Sequence, residues 1–333
     1  MRSILPALIA RNTKALRRRF AKELKAEERY LQTGKLSDAR RGNEELPFVG
    51  SSDSLERERR RLVRKPATFP FRLATITFPG AFFGMAQCIE IDSIRFAISE
   101  ARKQRSFSAS EERWLLVALG SVMARVNNST GQFAQYLKLS SSNLPRVIQK
   151  RRRSVVAEFL EEIPGLTTVG TRAWRQQNRA FRQDTCVLLP RLRRHEQVPA
   201  VVYADPPYSK AQYSRYYHVL DTIVRYDYPE ANGVGRYPSE DARFRTPFSL
   251  ARHVEGTMRR LVSQVADMGS TLVLSYPRNG LFATVGGSIT ALLEEYFGDV
   301  QVHLATATNH STFGGSHATR TVPVEERLYL AQP

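Results

Sequence analysis

The chain has 333 residues and a formal net charge of +18, a positive field that recruits polyanions, with nucleic acid ahead of acidic membrane. Hydrophobic residues at 42% allow a packed core, charged residues at 25% suit a soluble protein, and no apolar run approaches bilayer-spanning length. The two cysteines, Cys88 and Cys186, stand far apart without metal-type spacing, so neither a disulfide framework nor a zinc site is suggested and a reducing, cytoplasmic setting fits.

The basic start, Met1–Phe20, holds only a short apolar piece, Ile4–Ala10, which runs into arginines without a small-residue cleavage pattern. It reads as an amphipathic helix, with a transit peptide as the competing reading, and not as a signal peptide. The helix extends over Ile4–Gln32, because Leu5, Leu8, Ile9, Leu16, Phe20 and Leu24 recur at roughly helical spacing. Pro6 falls in its first turn, where a missing N–H is tolerated. Thr33–Asp53 is richer in Gly, Ser, Asn and Pro and reads as loop. Leu55–Arg64 reads as a short charged helix stopped by Pro66, with its arginine run on a wet face. Ala74–Phe83, broken by Pro79-Gly80, reads as an extended piece with a tight turn. Helical patterns come next at Ala86–Glu100, from Ser110 to about Val126, at Gln132–Leu139 and over the basic Pro145–Leu160. The first half is mostly α.

The texture changes after Gly165. Ala180–Leu189, Ala200–Ala204, Thr271–Tyr276, Val300–Ala305 and Arg327–Leu330 each read as a strand or contain one. Helical patterns lie between them at Tyr217–Tyr226, Ser249–Met268 and Gly287–Tyr296. Such alternation predicts a parallel α/β sheet. The run Val201-Val202-Tyr203-Ala204 leads into Asp205-Pro206-Pro207-Tyr208. A residue before proline is pushed to extended geometry, and two prolines in a row stiffen the backbone. Asp205 is therefore held at a strand's carboxyl end with Tyr208 a fixed distance beyond, at the edge where open α/β sheets bind ligands. A plain strand with a Pro-Pro turn is the competing reading.

The tetrad, the late strand end Ser275-Tyr276 and the earlier Asp184 resemble the adenine-N6 DNA methyltransferases of the Dam-like class. The resemblance runs from about Phe78 to Leu330, carried by Phe78–Ile98, Gln132–Lys138, Asp205–Tyr228, Leu274–Leu281, His310–Gly314 and Glu326–Leu330. It implies an α/β, Rossmann-like class I methyltransferase sheet in residues 166–333. Residues 1–165 would form a mostly helical region in which Ala86–Leu160 is the candidate for contacting DNA.

The resemblance also implies DNA as partner, S-adenosylmethionine as methyl donor, and Asp205, Pro206, Pro207 and Tyr208 as catalytic residues. The adenine N6 lone pair is delocalised into the ring and is a poor nucleophile. The Asp205 carboxylate would accept one N6 hydrogen and the Pro206 carbonyl the other, stabilising positive charge as it grows on the nitrogen. Tyr208 would stack on a base flipped out of the duplex. Asp184 resembles an acid that ends the preceding strand and, with Asp205, would contact the cofactor; a polar loop acid is its other reading. Ser275 and Tyr276 would line the pocket, or simply end a strand. Lys210 and Arg215 would reach phosphates. Tyr213, Tyr216, Tyr217 and His218 would meet the base or nearby backbone, with core packing an equal account of Tyr217 and His218. His310 matches a family position without an assigned role.

One part of the family pattern is not found: the opening strand with a Phe-x-Gly-x-Gly loop and the acid for the cofactor ribose. Phe78–Gly84 resembles a segment downstream of that loop, and Met1–Gln32 resembles the helix that comes after the acid. The expectation is an incomplete sheet lacking its first two strands, through a misplaced start codon, a truncated gene, or a split enzyme completed by a second polypeptide. The alternatives are an inactive DNA-binding remnant and a methyltransferase acting on RNA or protein.

Overall fold

The structure is a computed structural model that describes residues 4–33, 53–64, 71–129, 132–137, 142–233, 235–311 and 321–333, the backbone alone at 30, 33, 53, 54, 305–311 and 321–324. The loop expected at Thr33–Asp53 falls outside the described residues over 34–52, as does Pro66. The chain divides into two compact units, one of Met1–Val169 with Arg215–Arg243, the other of Gly170–Ser214 with Phe244–Pro333.

The first unit is helical. The single helix expected over Ile4–Gln32 is two, α1 (Ile4–Arg19) and α2 (Ala21–Thr33). The break serves two cores: Leu5, Leu8 and Ile9 enter one cluster, while Leu16, Phe20 and Leu24 enter another with Leu55 and Leu62 of α3 (Asp53–Arg64). Of Ala74–Phe83, the tight turn at Pro79-Gly80 is present, with the Gly80 amide donating to the Phe83 carbonyl at 2.7 Å, but the residues before it are not extended. The stretch opens with α4 (Leu73–Thr77), because Asp92 accepts the Ala74 and Thr75 amides, both at 2.8 Å, and so satisfies the helix's first donors. Asp92 lies on α5 (Met85–Lys103), which is succeeded by α6 (Ala109–Val126), started by the Ser108–Glu111 capping box. Residues 132–137 form no helix; Tyr136 bridges Ser129 instead, and the Leu137 amide donates to Asn128 at 3.0 Å. The basic helix expected over Pro145–Leu160 is likewise two, α7 (Leu144–Arg151) and α8 (Val155–Glu162), separated where Ser154 caps the second.

The second unit begins with α9 (Arg172–Gln177) and α10 (Thr185–Arg194). The strand expected at Ala180–Leu189 is absent there. A short apolar run suits either structure, and the Asp184 carboxylate decides for helix by accepting the Cys186 amide at 2.9 Å as N-cap. Next comes β1 (Val201–Ala204), and the chain crosses to the helical unit with α11 (Ser214–Arg225). It returns through α12 (Val254–Ala266), β2 (Thr271–Pro277), α13 (Leu281–Thr284), α14 (Ile289–Glu294), β3 (Asp299–Ser311) and β4 (Thr321–Gln332).

The sheet order is β1-β2-β4-β3. The α/β class holds, but the sheet is mixed rather than parallel. Only β1 and β2 run parallel, while β4 inserts antiparallel to both β2 and β3. Pleating sends alternate residues to one face. Ala204, Leu272, Leu274, Tyr276, Tyr329 and Ala331 form a core there with apolar residues of α10, α12, α13 and α14. On β1, Val201 and Tyr203 point the other way and are 55% and 63% exposed.

Candidate active site

The tetrad leaves the carboxyl end of β1, where register pairs Ala204 with Leu274 and so brings Asp205 level with Ser275 at the end of β2. Asp205 is exposed, Pro206 is buried, and Pro207 and Tyr208 are half-buried. The run thus anchors itself through one proline and presents the carboxylate outward. Among the described residues no side chain or backbone donor satisfies that carboxylate, leaving it for a ligand.

Tyr208 is fixed from both sides. Its ring packs against the sheet core, and its carbonyl accepts the Leu281 amide at 2.7 Å, tying the tetrad to the loop after β2. That loop is held in turn by Tyr276, whose buried hydroxyl accepts the Phe282 amide at 3.1 Å. Burial pushes the Tyr208 phenol upward, and the nearby Glu326 and Asp205 carboxylates add to the rise, so the ring stays neutral at physiological pH. Ser275 Oγ donates to Glu326 Oε1 at 3.1 Å. The loop leaving the tetrad is pinned by reciprocal bonds, Gln212 Nε2 to the Thr246 carbonyl at 3.2 Å and the Thr246 amide to Gln212 Oε1 at 2.8 Å.

Asp205, Pro206, Pro207, Tyr208, Ser275 and Tyr276 therefore gather at one sheet edge. Asp184 does not end a strand; it caps α10, whose Cys186 and Leu189 share the core with Val202 and Ala204 of β1. Its second oxygen has no hydrogen-bond partner among the described residues. Lys210 is exposed and Tyr213 half-buried. Arg215 and Tyr216 belong to the helical unit: the Arg215 guanidinium lies 5.1 Å from the Tyr237 ring centre, and Tyr216 is buried with its carbonyl accepting the Phe133 amide at 3.1 Å. Tyr217 is exposed, while His218 is buried with Nδ1 2.9 Å from the Arg215 carbonyl and Nε2 2.7 Å from that of Gly235. The backbone of His310 lies in β3, and its side chain is outside the described residues.

Sequence reasoning missed the parts played by Glu326 and Leu281. Glu326 sits in a segment used only for its resemblance, and nothing in its neighbours announces a bond to Ser275. Leu281 contributes a backbone amide, which leaves no side-chain signal. The Asp205 carboxylate and the Asp184 carboxylate oxygen not used as helix cap are both acceptors, each able to take a hydrogen bond from an amino group.

Residues 182–268 match the family model for the D12 class N6 adenine-specific DNA methyltransferases. The chain is 30% identical over 145 residues to modification methylase LlaI of Lactococcus lactis subsp. lactis, an alignment covering 44% of this chain and 20% of that protein. It is 23% identical over 243 residues to modification methylase StsI of Streptococcus sanguinis, covering 73% of this chain and 33% of the relative. It is 26% identical over 152 residues to type II methyltransferase M.FokI of Planomicrobium okeanokoites, covering 46% and 20%. The chain thus spans a third or less of the length of these relatives. No solved structure matches. The matched family segment contains Asp184, the whole tetrad and Lys210, Tyr213, Arg215 and Tyr216.

Proposed function

We propose that this chain, a member of the adenine-N6 DNA methyltransferase family, transfers a methyl group to adenine N6 in DNA, at specific sites and in the cytoplasm. The observation that carries the reading is the outward, unpartnered Asp205 carboxylate on a tetrad locked by the Leu281–Tyr208 bond. S-adenosylmethionine would supply an electrophilic methyl group. Asp205 and the Pro206 carbonyl each accept one N6 hydrogen, which orients the nitrogen and stabilises the charge that develops on it. Pro207 keeps the carbonyl direction fixed, and Tyr208 stacks on the flipped base. Asp184 and Asp205 offer acceptors to the cofactor. Ser275, held by Glu326, and Tyr276 form the floor, and Lys210 and Tyr213 serve the DNA strand around the base.

The test is Asp205→Ala, with adenine methylation measured in cells expressing the chain and with purified protein, labelled S-adenosylmethionine and duplex DNA. Loss of one such group costs on the order of 10²–10³-fold in rate. Full activity in the variant overturns the assignment, and transfer to RNA but not DNA replaces the substrate.

A second reading is favoured by β1, beside whose outer edge no strand lies among the described residues and whose outward face leaves Val201 and Tyr203 55% and 63% exposed. Strands of this kind are normally covered on both faces. In this reading the chain acts with a second polypeptide that supplies the glycine loop and an adjoining strand, and by itself is a DNA-binding remnant. Calorimetry separates the two: micromolar S-adenosylmethionine binding by the purified chain removes the second reading.

A further inference from the structure

Between Glu162 and Asp184 the chain carries no acidic residue but four arginines, Arg172, Arg175, Arg179 and Arg182. All four belong to the sheet unit, three are exposed and Arg175 is half-exposed. None makes an ion pair with a carboxylate among the described residues, unlike Arg19, Arg59, Arg125 or Arg259. Arg172 and Arg175 are one helical turn apart on α9, so their charges share a face. Two aromatic residues stand among them, Trp174 at 55% and Phe181 at 45% exposure.

The tryptophan is positioned rather than merely left outside. Thr171 caps α9 by accepting the Trp174 amide at 3.2 Å, and the Arg175 guanidinium donates to the Gly170 carbonyl. Gly170 has φ of +77°, and a Cβ there would meet Trp174 Cε3 at 2.5 Å, so the indole lies directly on the glycine. Only glycine meets both demands, a left-handed backbone and no side chain under the ring. The chain thus fixes an exposed aromatic amid unneutralised positive charge.

We propose that Arg172, Arg175, Arg179 and Arg182, with Trp174 and Phe181, form a contact surface for the backbone of duplex DNA. The inference rests on the methyltransferase reading for its choice of DNA. Four charges of one sign, without carboxylate partners, complement a regular line of phosphates, where arginine donates two parallel hydrogen bonds per phosphate. Trp174 and Phe181 would lie against the sugars between contacted phosphates, where an exposed ring loses water at no cost in hydrogen bonds. Apart from Arg182, these residues precede the segment that matches the family model.

The experiment uses the full chain, a duplex of about 30 base pairs and fluorescence anisotropy over a range of salt, without methyl donor. Each lost phosphate contact removes about 0.9 from the slope of log affinity against log salt. The variant carrying Arg→Gln at 172, 175, 179 and 182 should lose about 3 to 4 of that slope and at least tenfold in affinity at low salt. Its thermal unfolding should lie close to wild type, since the replaced charges form no ion pairs among the described residues and only Arg175 gives up a side-chain bond, the one to the Gly170 carbonyl. In a Trp114→Phe background Trp174 is the only tryptophan, and duplex DNA should quench its emission. Unchanged slope and affinity in the fourfold variant overturn the proposal, including the case in which the patch serves a protein partner. Unresponsive Trp174 emission overturns the aromatic contact. Because binding is read without methyl transfer, an inactive chain that needs these arginines for DNA would sink the functional reading alone. An active chain that ignores them would sink this inference alone.

Discussion

Gly280 is the position where a single methyl group should reach the tetrad. It precedes α13, and a Cβ built on it would lie 2.3, 2.8 and 3.1 Å from three atoms of the Tyr276 ring. Carbon atoms rest at about 3.5–4.0 Å, so Gly280→Ala demands a retreat of about 1 Å. The ring cannot supply it, because Tyr276 is fully buried and its hydroxyl holds the Phe282 amide. The loop must move instead, and with it the Leu281 amide that fixes the Tyr208 carbonyl at 2.7 Å. Overpacking of this kind costs about 1–3 kcal/mol in stability. A displacement of about 1 Å at a reacting group costs on the order of 10²-fold in rate. Urea unfolding and initial rates of adenine methylation measure the two effects separately. A second substitution, Tyr276→Leu, removes the obstructing ring edge, so the double variant should be less impaired than the two single effects together imply. Wild-type stability and rate in Gly280→Ala would refute the reasoning. Lost stability with a wild-type rate would show that the loop does not control the tetrad.

Two further predictions concern the helical unit. Asp92 is fully buried, and burial pushes its carboxyl up to about 6 against hydrogen bonds from Thr75, Tyr226 and Ala74 that lower it. A rise of about two units corresponds to roughly 3 kcal/mol of stability, present below the unfolded value near pH 4 and lost as pH climbs through about 6. Unfolding curves from pH 4 to 7 should show the stability advantage of wild type over Asp92→Asn shrinking by about that amount, and a constant difference would contradict the linkage. Glu27, also buried, accepts the Met85 and Ala86 amides at 2.8 Å each at the start of α5. Glu27→Ala should lower unfolding free energy by about 2–4 kcal/mol, as two buried donors lose their acceptor; a change under about 0.5 kcal/mol would show that water replaces it.

The tetrad was legible because every constraint on it is local: an apolar strand, two prolines and an aromatic within eight residues. Strands β1 and β2 and helices α11 and α12 were legible for the same reason, each carrying its own periodicity. The features that escaped depend on distant partners. Ala74–Thr77 looks extended until Asp92 supplies acceptors to its amides. Val187-Leu188-Leu189 is short enough to be strand or helix, and only the Asp184 cap decides. The mixed sheet arises from β4 entering between β2 and β3, a pairing choice that strand patterns do not encode. Glu326 and the Leu281 amide join the site through bonds spanning 51 and 73 residues, which no local pattern signals.

The helical unit borrows Arg215–Arg243 from beyond the tetrad. Val219 and Ile223 of that piece lie in its main core, and Tyr226 and Tyr228 in its second, where the Tyr226 hydroxyl donates to Asp92. A fragment ending near residue 169 would therefore lack four core side chains and expose the faces they cover. Neither unit can be exchanged with a relative's by one splice. A graft must carry two segments of the helical unit together, and the recipient must rejoin its own backbone between Ser214 and Phe244. Any recombination event that swaps only the first 169 residues would pair an old helix with a new core, so the two segments should be inherited as linked blocks.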